Sequence, residues 1–195
     1  MKKLLITTGA IAICGIVASG INASAATFVA STTYNGHTYE LWASRAILWA
    51  DAKAEAIAQG GYLATLTTLQ ETLAVYDSFI GDDFFTANDG PQYQAWLGGY
   101  TTAPNQTTRD PTAWAWVTGE AWSAFDISNF GPGEPNGDST GLTINRYGTP
   151  QWNDEGGLVG GYIVEKGAVP DSGSSVALLG GVFATVALLR RRFGR

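Results

Sequence analysis

Two short stretches of this chain gather oxygen donors where neither reads as helix. Glu134-Pro135-Asn136 and Trp152-Asn153-Asp154 together offer two carboxylates and two amides, flanked by glycine, proline and aromatic residues. No histidine or cysteine accompanies them. Hard oxygen donors without nitrogen or sulfur suit Ca2+, which takes ~6–8 oxygen ligands at ~2.3–2.6 Å. Glu134, Asn136, Asn153 and Asp154 are therefore the candidate calcium ligands. Asp138 is the only acidic residue between the two stretches and is the candidate further carboxylate. Asp82, Asp83 and Asp89 lack the D-x-D-x-D-G spacing and closing glutamate of an EF-hand loop, so they read as solvated loop.

Other chemistries find less support. Catalysis by a nucleophile requires a base beside it, and the single histidine, His37, has no partner motif near it in sequence; it reads as a strand-surface residue. Glu134 with Glu120 or Asp126 is the conceivable glycosidase pair, but no pattern singles it out, and the chain reads as a non-enzyme with no catalytic residues. Between Glu40 and Lys166 sixteen acidic residues face five basic ones, Arg45, Lys53, Arg109, Arg146 and Lys166, a net charge of −11. Such a surface repels a phosphate backbone, which argues against nucleic acid as a partner, and it attracts divalent cations. The only cysteine, Cys14, lies in the N-terminal apolar run, so the domain has no disulfide.

The elements that must hold these residues follow from periodicity. Residues 1–25 combine Lys2-Lys3, an apolar stretch and Ala23-Ser24-Ala25, the pattern of a secretory signal peptide. Alternation over residues 37–42 predicts a strand. Residues 46–59 predict a helix with Trp49, Ala52 and Ala56 on one stripe, stopped by Gly60-Gly61. A short strand follows at residues 62–66. Thr68-x-x-Glu71 reads as a capping box opening a second helix to about Ile80, with Leu69, Leu73, Tyr76 and Ile80 toward the core. Strands are expected at residues 95–100, 113–117, 142–145 and 161–165, with residues 123–141 as one long loop without regular structure. Long ordered loops are uncommon unless they have a function. Trp96, Trp114, Trp116 and Trp152 could stack on sugar rings, but strand tryptophans are more often core. Tyr147, between the two oxygen-rich stretches, is the better stacking candidate.

Helices first and strands later make an α+β arrangement. The order Trp49-x-x-Ala52, Gly60-Gly61-Tyr62-Leu63-Ala64, Trp96-Leu97-Gly98, Trp116-Val117-Thr118-Gly119-Glu120, Glu134-Pro135-Asn136, Trp152-Asn153-Asp154 and Tyr162-Ile163-Val164-Glu165 resembles the C-type lectin-like domain over residues 26–168. The resemblance implies two helices packed on small antiparallel sheets, with a long calcium- and ligand-binding loop. It implies a cis peptide bond before Pro135. It also implies carbohydrate binding by Glu134, Asn136, Asn153 and Asp154, two vicinal sugar hydroxyls completing the calcium shell. Glu-Pro-Asn resembles the mannose-type pattern, favouring mannose, glucose or N-acetylglucosamine. The chain departs from the family in three ways. It lacks the usual two disulfides, it carries Phe130 where tryptophan is common, and Ser139, Thr140 and Gly141 stand where a further glutamate is usual. The alternative is a calcium-independent domain of the same fold that serves structurally or binds a protein partner.

Residues 169–195 read Val169-Pro170-Asp171-Ser172-Gly173, an apolar run over 176–189, then Arg190-Arg191-Arg192. This resembles the PEP-CTERM sorting tail in its Val-Pro-Asp-Ser-Gly form. The resemblance implies export in a Gram-negative bacterium, transient association with the inner membrane, and display at the cell surface or in an exopolysaccharide matrix. A helix of about fourteen residues spans ~21 Å against a hydrocarbon core of ~30 Å, which fits a brief halt there.

Overall fold

The computed structural model describes residues 26–80, 84–85, 91–101, 103, 107–137 and 140–167. The expected signal peptide, the tail with its 176–189 apolar run, Cys14, Asp82, Asp83, Asp89 and Asp138 lie outside them. Eight strands and three helices make an α+β domain: β1 (Thr27–Tyr34), β2 (His37–Ile47), α1 (Trp49–Ala58), β3 (Tyr62–Leu63), α2 (Leu69–Phe79), β4 (Ala95–Thr101), β5 (Trp114–Trp116), α3 (Ala124–Ser128), β6 (Gly141–Ile144), β7 (Trp152–Glu155) and β8 (Val159–Lys166). The strands join in the order β1-β2-β8-β4-β6-β7, with β3 on β8 and β5 on β4. The resemblance predicted small antiparallel sheets. All eight strands instead form one connected network, and its central pair, β4 and β8, runs parallel.

Strand β8 shows why the sheet sits in the middle. Side chains alternate across a strand. Tyr162 and Val164 accordingly pack with Ala52 and Ala56 of α1, while Ile163 joins Tyr39, Leu41 and the buried face of α2. The strand is thus buried on both faces, and its apolar run Tyr162-Ile163-Val164 is what such burial requires.

Helix α1 buries Ala52 and Ala56 as its stripe predicts. Helix α2 follows its expected stripe at Tyr76 but not at its ends. Thr72, Val75, Tyr76 and Phe79 face the core, whereas Leu69 and Ile80 are about half exposed. The face is rotated because Thr72 satisfies its own hydroxyl on Thr68 O, and Phe79 packs against Phe85, which also meets Tyr76 edge-on. The Thr68 cap forms as expected, its hydroxyl accepting from Glu71 N at 3.2 Å. The returning bond lands one residue earlier, with Thr67 N donating to Glu71 Oε2 at 2.7 Å.

The long loop is not wholly irregular. Ser123 and Asp126 cap each other reciprocally and open α3, a capping box with aspartate in the third position. The short helix sets Phe125 edge-on to Trp152 at 5.6 Å. Around them Trp114, Trp116, Trp122, Phe130 and Trp152 form one aromatic cluster with ring centroids 5.0–6.4 Å apart. Trp96, Trp114, Trp116 and Trp152 are all buried, so the core role expected for them holds.

His37 is not the plain surface residue its neighbours in sequence imply. Its Nδ1 lies 2.6 Å from Oε1 of Glu165, 128 positions away. Glu165 is buried and also accepts from the Tyr62 hydroxyl and from Thr65 N and Oγ1. Burial pushes its proton affinity up, and these donors pull it back.

Candidate functional site

The site forms where the end of the long loop meets β7. The Glu134–Pro135 peptide bond is cis, as the resemblance implies. Glu134 is buried, and Asn136 beyond the proline is exposed. Across from them Asp154, also buried, accepts from the backbone N–H groups of Asn136 at 2.8 Å and Gly137 at 3.0 Å. Its carboxylate therefore ties β7 to the loop.

Glu134 lies beside Asp154, and its proton affinity is raised. Burial is the first cause, and the adjoining Asp154 carboxylate adds to it. The Tyr147 hydroxyl and Arg146 act against them. Two carboxyl groups held together out of water cannot both ionise without cost. A hydrogen bond from Tyr147 OH, at 3.2 Å, reaches Glu134 Oε1, but Oε2 is buried with no hydrogen-bond partner. Asn153, one residue before Asp154, donates through Nδ2 to Gln94 Oε1 at 3.3 Å, and its Oδ1 is likewise buried without a hydrogen-bond partner. Gln94 also meets the Thr143 hydroxyl and Glu155, which pairs with Arg146 at 3.1 Å.

The structure thus joins Glu134, Asp154 and the backbone at Asn136 directly, sets Tyr147 on Glu134, and places Asn153 in the neighbouring Gln94 group. The adjoining carboxylate pair, with its orphaned Glu134 Oε2, offers oxygen donors that fit a hard cation, and Asn153 Oδ1 is a second orphaned acceptor in the neighbouring group. The set is small: among the described residues no three His, Cys, Asp or Glu side chains gather into a metal site. Glu120 and Asp126 are turned to local tasks, the first accepting from Thr118 Oγ1 at 2.8 Å and the second capping α3.

One residue essential to this geometry carries no motif. Arg109 reaches over the loop, donating from Nε to Glu134 O at 2.9 Å and from Nη2 to Gly131 O at 3.1 Å, with its guanidinium 5.7 Å from the Phe130 ring centre. A planar fork can hold two carbonyls and lie on an aromatic face at once. The only sequence signal was its rarity, one of five basic residues in a strongly acidic domain.

Residues 168–193 match the VPDSG-CTERM motif. A 146-residue stretch covering 71% of the chain is 30% identical to halomucin of Haloquadratum walsbyi, of which it spans only 2%. The fold is similar to that of the cow C-type carbohydrate-recognition domain of CD23, solved in the presence of a GlcNAc2Man3 oligosaccharide: TM-score 0.51, 20% identity, 71% of this chain and 94% of that one. It is equally similar to a calcium-independent type II antifreeze protein, with TM-score 0.50, 21% identity and coverage of 73% and 97%. The domain has the C-type lectin-like fold, and the chain ends in a sorting tail of the VPDSG-CTERM kind.

Proposed function

We propose that this chain, a C-type lectin-like domain with a VPDSG-CTERM tail, is an exported carbohydrate-binding module that uses Ca2+. Glu134 and Asp154 supply the charge, Asn136 and Asn153 the amide oxygens, and Asp138 is the candidate further carboxylate. Two vicinal hydroxyls of a mannose- or glucose-type sugar complete the shell, each donating to a carboxylate and accepting from an amide N–H. The observation that carries this reading is the buried Glu134–Asp154 pair with unpartnered oxygens on Glu134 and Asn153. A cation there would relieve both the carboxylate repulsion and the orphaned acceptors. The tail supports export, and display at the cell surface or in a polysaccharide matrix is part of this proposal.

Thermal unfolding with calcium and then with chelator is the test. For a dissociation constant near the weak end of extracellular sites, ~1 mM, ~10 mM Ca2+ stabilises by about 1.4 kcal/mol. Glu134→Ala and Asn153→Ala are expected to abolish that rise, and with it calcium-dependent retention on a mannose or glucan resin. A wild-type midpoint indifferent to calcium would overturn the calcium reading.

A second reading has its own support. Both Asp154 oxygens already accept backbone N–H groups, so the loop is tied to β7 without a metal. A calcium-independent structural or protein-binding role is consistent with that tie, and an unmoved midpoint would favour it.

A further inference from the structure

Beside the carboxylate pair lies a cleft of about 400 Å³ lined by Pro132, Tyr147, Thr149 and Gln151. That volume is at the small end of the ~300–1,000 Å³ usual for small-molecule sites. Tyr147 is 44% exposed, unusually open for a ring so firmly held. Its hydroxyl is anchored on Glu134, Arg146 sits over the ring at 5.6 Å, and Gly131 packs close to its Cε2 edge. The Thr149 hydroxyl is buried and has no hydrogen-bond partner. A held aromatic ring, a proline ring and the Gln151 side chain line one small space.

We infer that this cleft is a second carbohydrate subsite, independent of any metal, that takes one β-gluco-configured pyranose by its apolar face. The configuration follows from shape. A β-glucose ring carries all its hydroxyls equatorially, so the axial hydrogens on C1, C3 and C5 make one flat C–H face for the Tyr147 ring. An α-mannoside has an axial oxygen on each face, at C1 and at C2, and cannot lie as flat. Rim hydroxyls of the sugar would meet the Gln151 amide, which can both donate and accept. The inference rests on the proposed function for its ligand class, carbohydrate, and for nothing else, since no residue of the cleft contributes charge to a cation.

The experiment is saturation-transfer NMR and titration of the full chain in mild detergent with excess chelator, using methyl β-glucoside and methyl α-mannoside. Saturable millimolar binding of the β-glucoside is expected, with strongest transfer to its axial ring protons and the α-mannoside about tenfold weaker, the equivalent of ~1.4 kcal/mol. Tyr147→Ala should weaken the β-glucoside by about tenfold, in line with the ~0.5–1.5 kcal/mol of a specific aromatic contact plus its area. Gln151→Ala should weaken it by about threefold, with unchanged circular dichroism. No saturable binding in chelator, equal binding of the two glycosides, or full binding by Tyr147→Ala would overturn the inference. Adding calcium tests the carboxylate site separately: an unchanged thermal midpoint with β-glucoside still bound would remove the calcium reading and leave the cleft standing.

Discussion

Glu134 gathers opposing demands in one side chain. It is buried, lies against Asp154, accepts from Tyr147 and leaves Oε2 unused. Because its folded proton affinity is raised, its contribution without a cation is fully present below the unfolded carboxylate pKa, ~4.3. It is lost as the pH rises through the folded value. Glu134→Gln removes that penalty. In chelator the variant should exceed the wild type by about 1 kcal/mol at neutral pH, roughly 3–5 °C in the midpoint. The gap should close as the pH falls toward ~4. Asp126 and Glu165 are raised as well, but both are common to the two proteins and cancel in the difference. A gap that is constant with pH would show that Glu134 is not ionised at a cost. Calcium binding requires the ionised form, so its stabilisation of the wild type should weaken over the same fall in pH.

At the scale of elements, the question is what holds a long loop without disulfides. Arg109 supplies one answer, with two charge-assisted bonds to loop carbonyls at Gly131 and Glu134. Arg109→Met should cost about 2–3 kcal/mol and expose residues 131–137 to protease earlier than the rest of the domain. Arg109→Lys should restore little, since an ammonium cannot fork. Uniform cleavage kinetics across the domain in Arg109→Met would show that the arginine is not a loop clamp. Strand packing depends on a different device. A Cβ on Gly98 would stand 2.4 Å from Leu63 O and 2.7 Å from Val117 Cγ2. Gly98 also donates to Ala64 O and accepts from Val117 N. Backbone on one side leaves no room to yield, so Gly98→Ala should destabilise by about 3 kcal/mol or more, read from denaturant midpoints.

For the whole molecule, charge and the tail set the context. The strongly acidic middle of the chain favours cations over anionic partners. The match of residues 168–193 to a sorting motif supports export. Among the described residues no helix is long and apolar enough to cross a membrane, and the apolar run over 176–189 lies outside them. Deleting residues 169–195 should leave the protein in the periplasm or release it to the medium, followed by fractionation and immunoblotting. Undiminished surface display would overturn the sorting role.

The sequence by itself determined the elements whose signal is local. While the cis bond before Pro135 was implied by the family resemblance, the α1 stripe, the Thr68 cap and the alternation at the start of β2 each depend on residues a few positions apart. Glu134-Pro135-Asn136 and Trp152-Asn153-Asp154 were legible as oxygen-rich segments for the same reason. Only the tertiary structure decided what meets what. It turned α2 so that Phe79 rather than Ile80 went inward, ran β4 parallel to β8, and brought His37 to Glu165 and Arg109 to the loop. It also set Glu134 against Asp154 and left the Thr149 hydroxyl without a partner beside an open tyrosine. These are encounters between segments distant along the chain, chosen by packing and by the cost of leaving buried polar groups unpaired, and no periodicity or short motif encodes them.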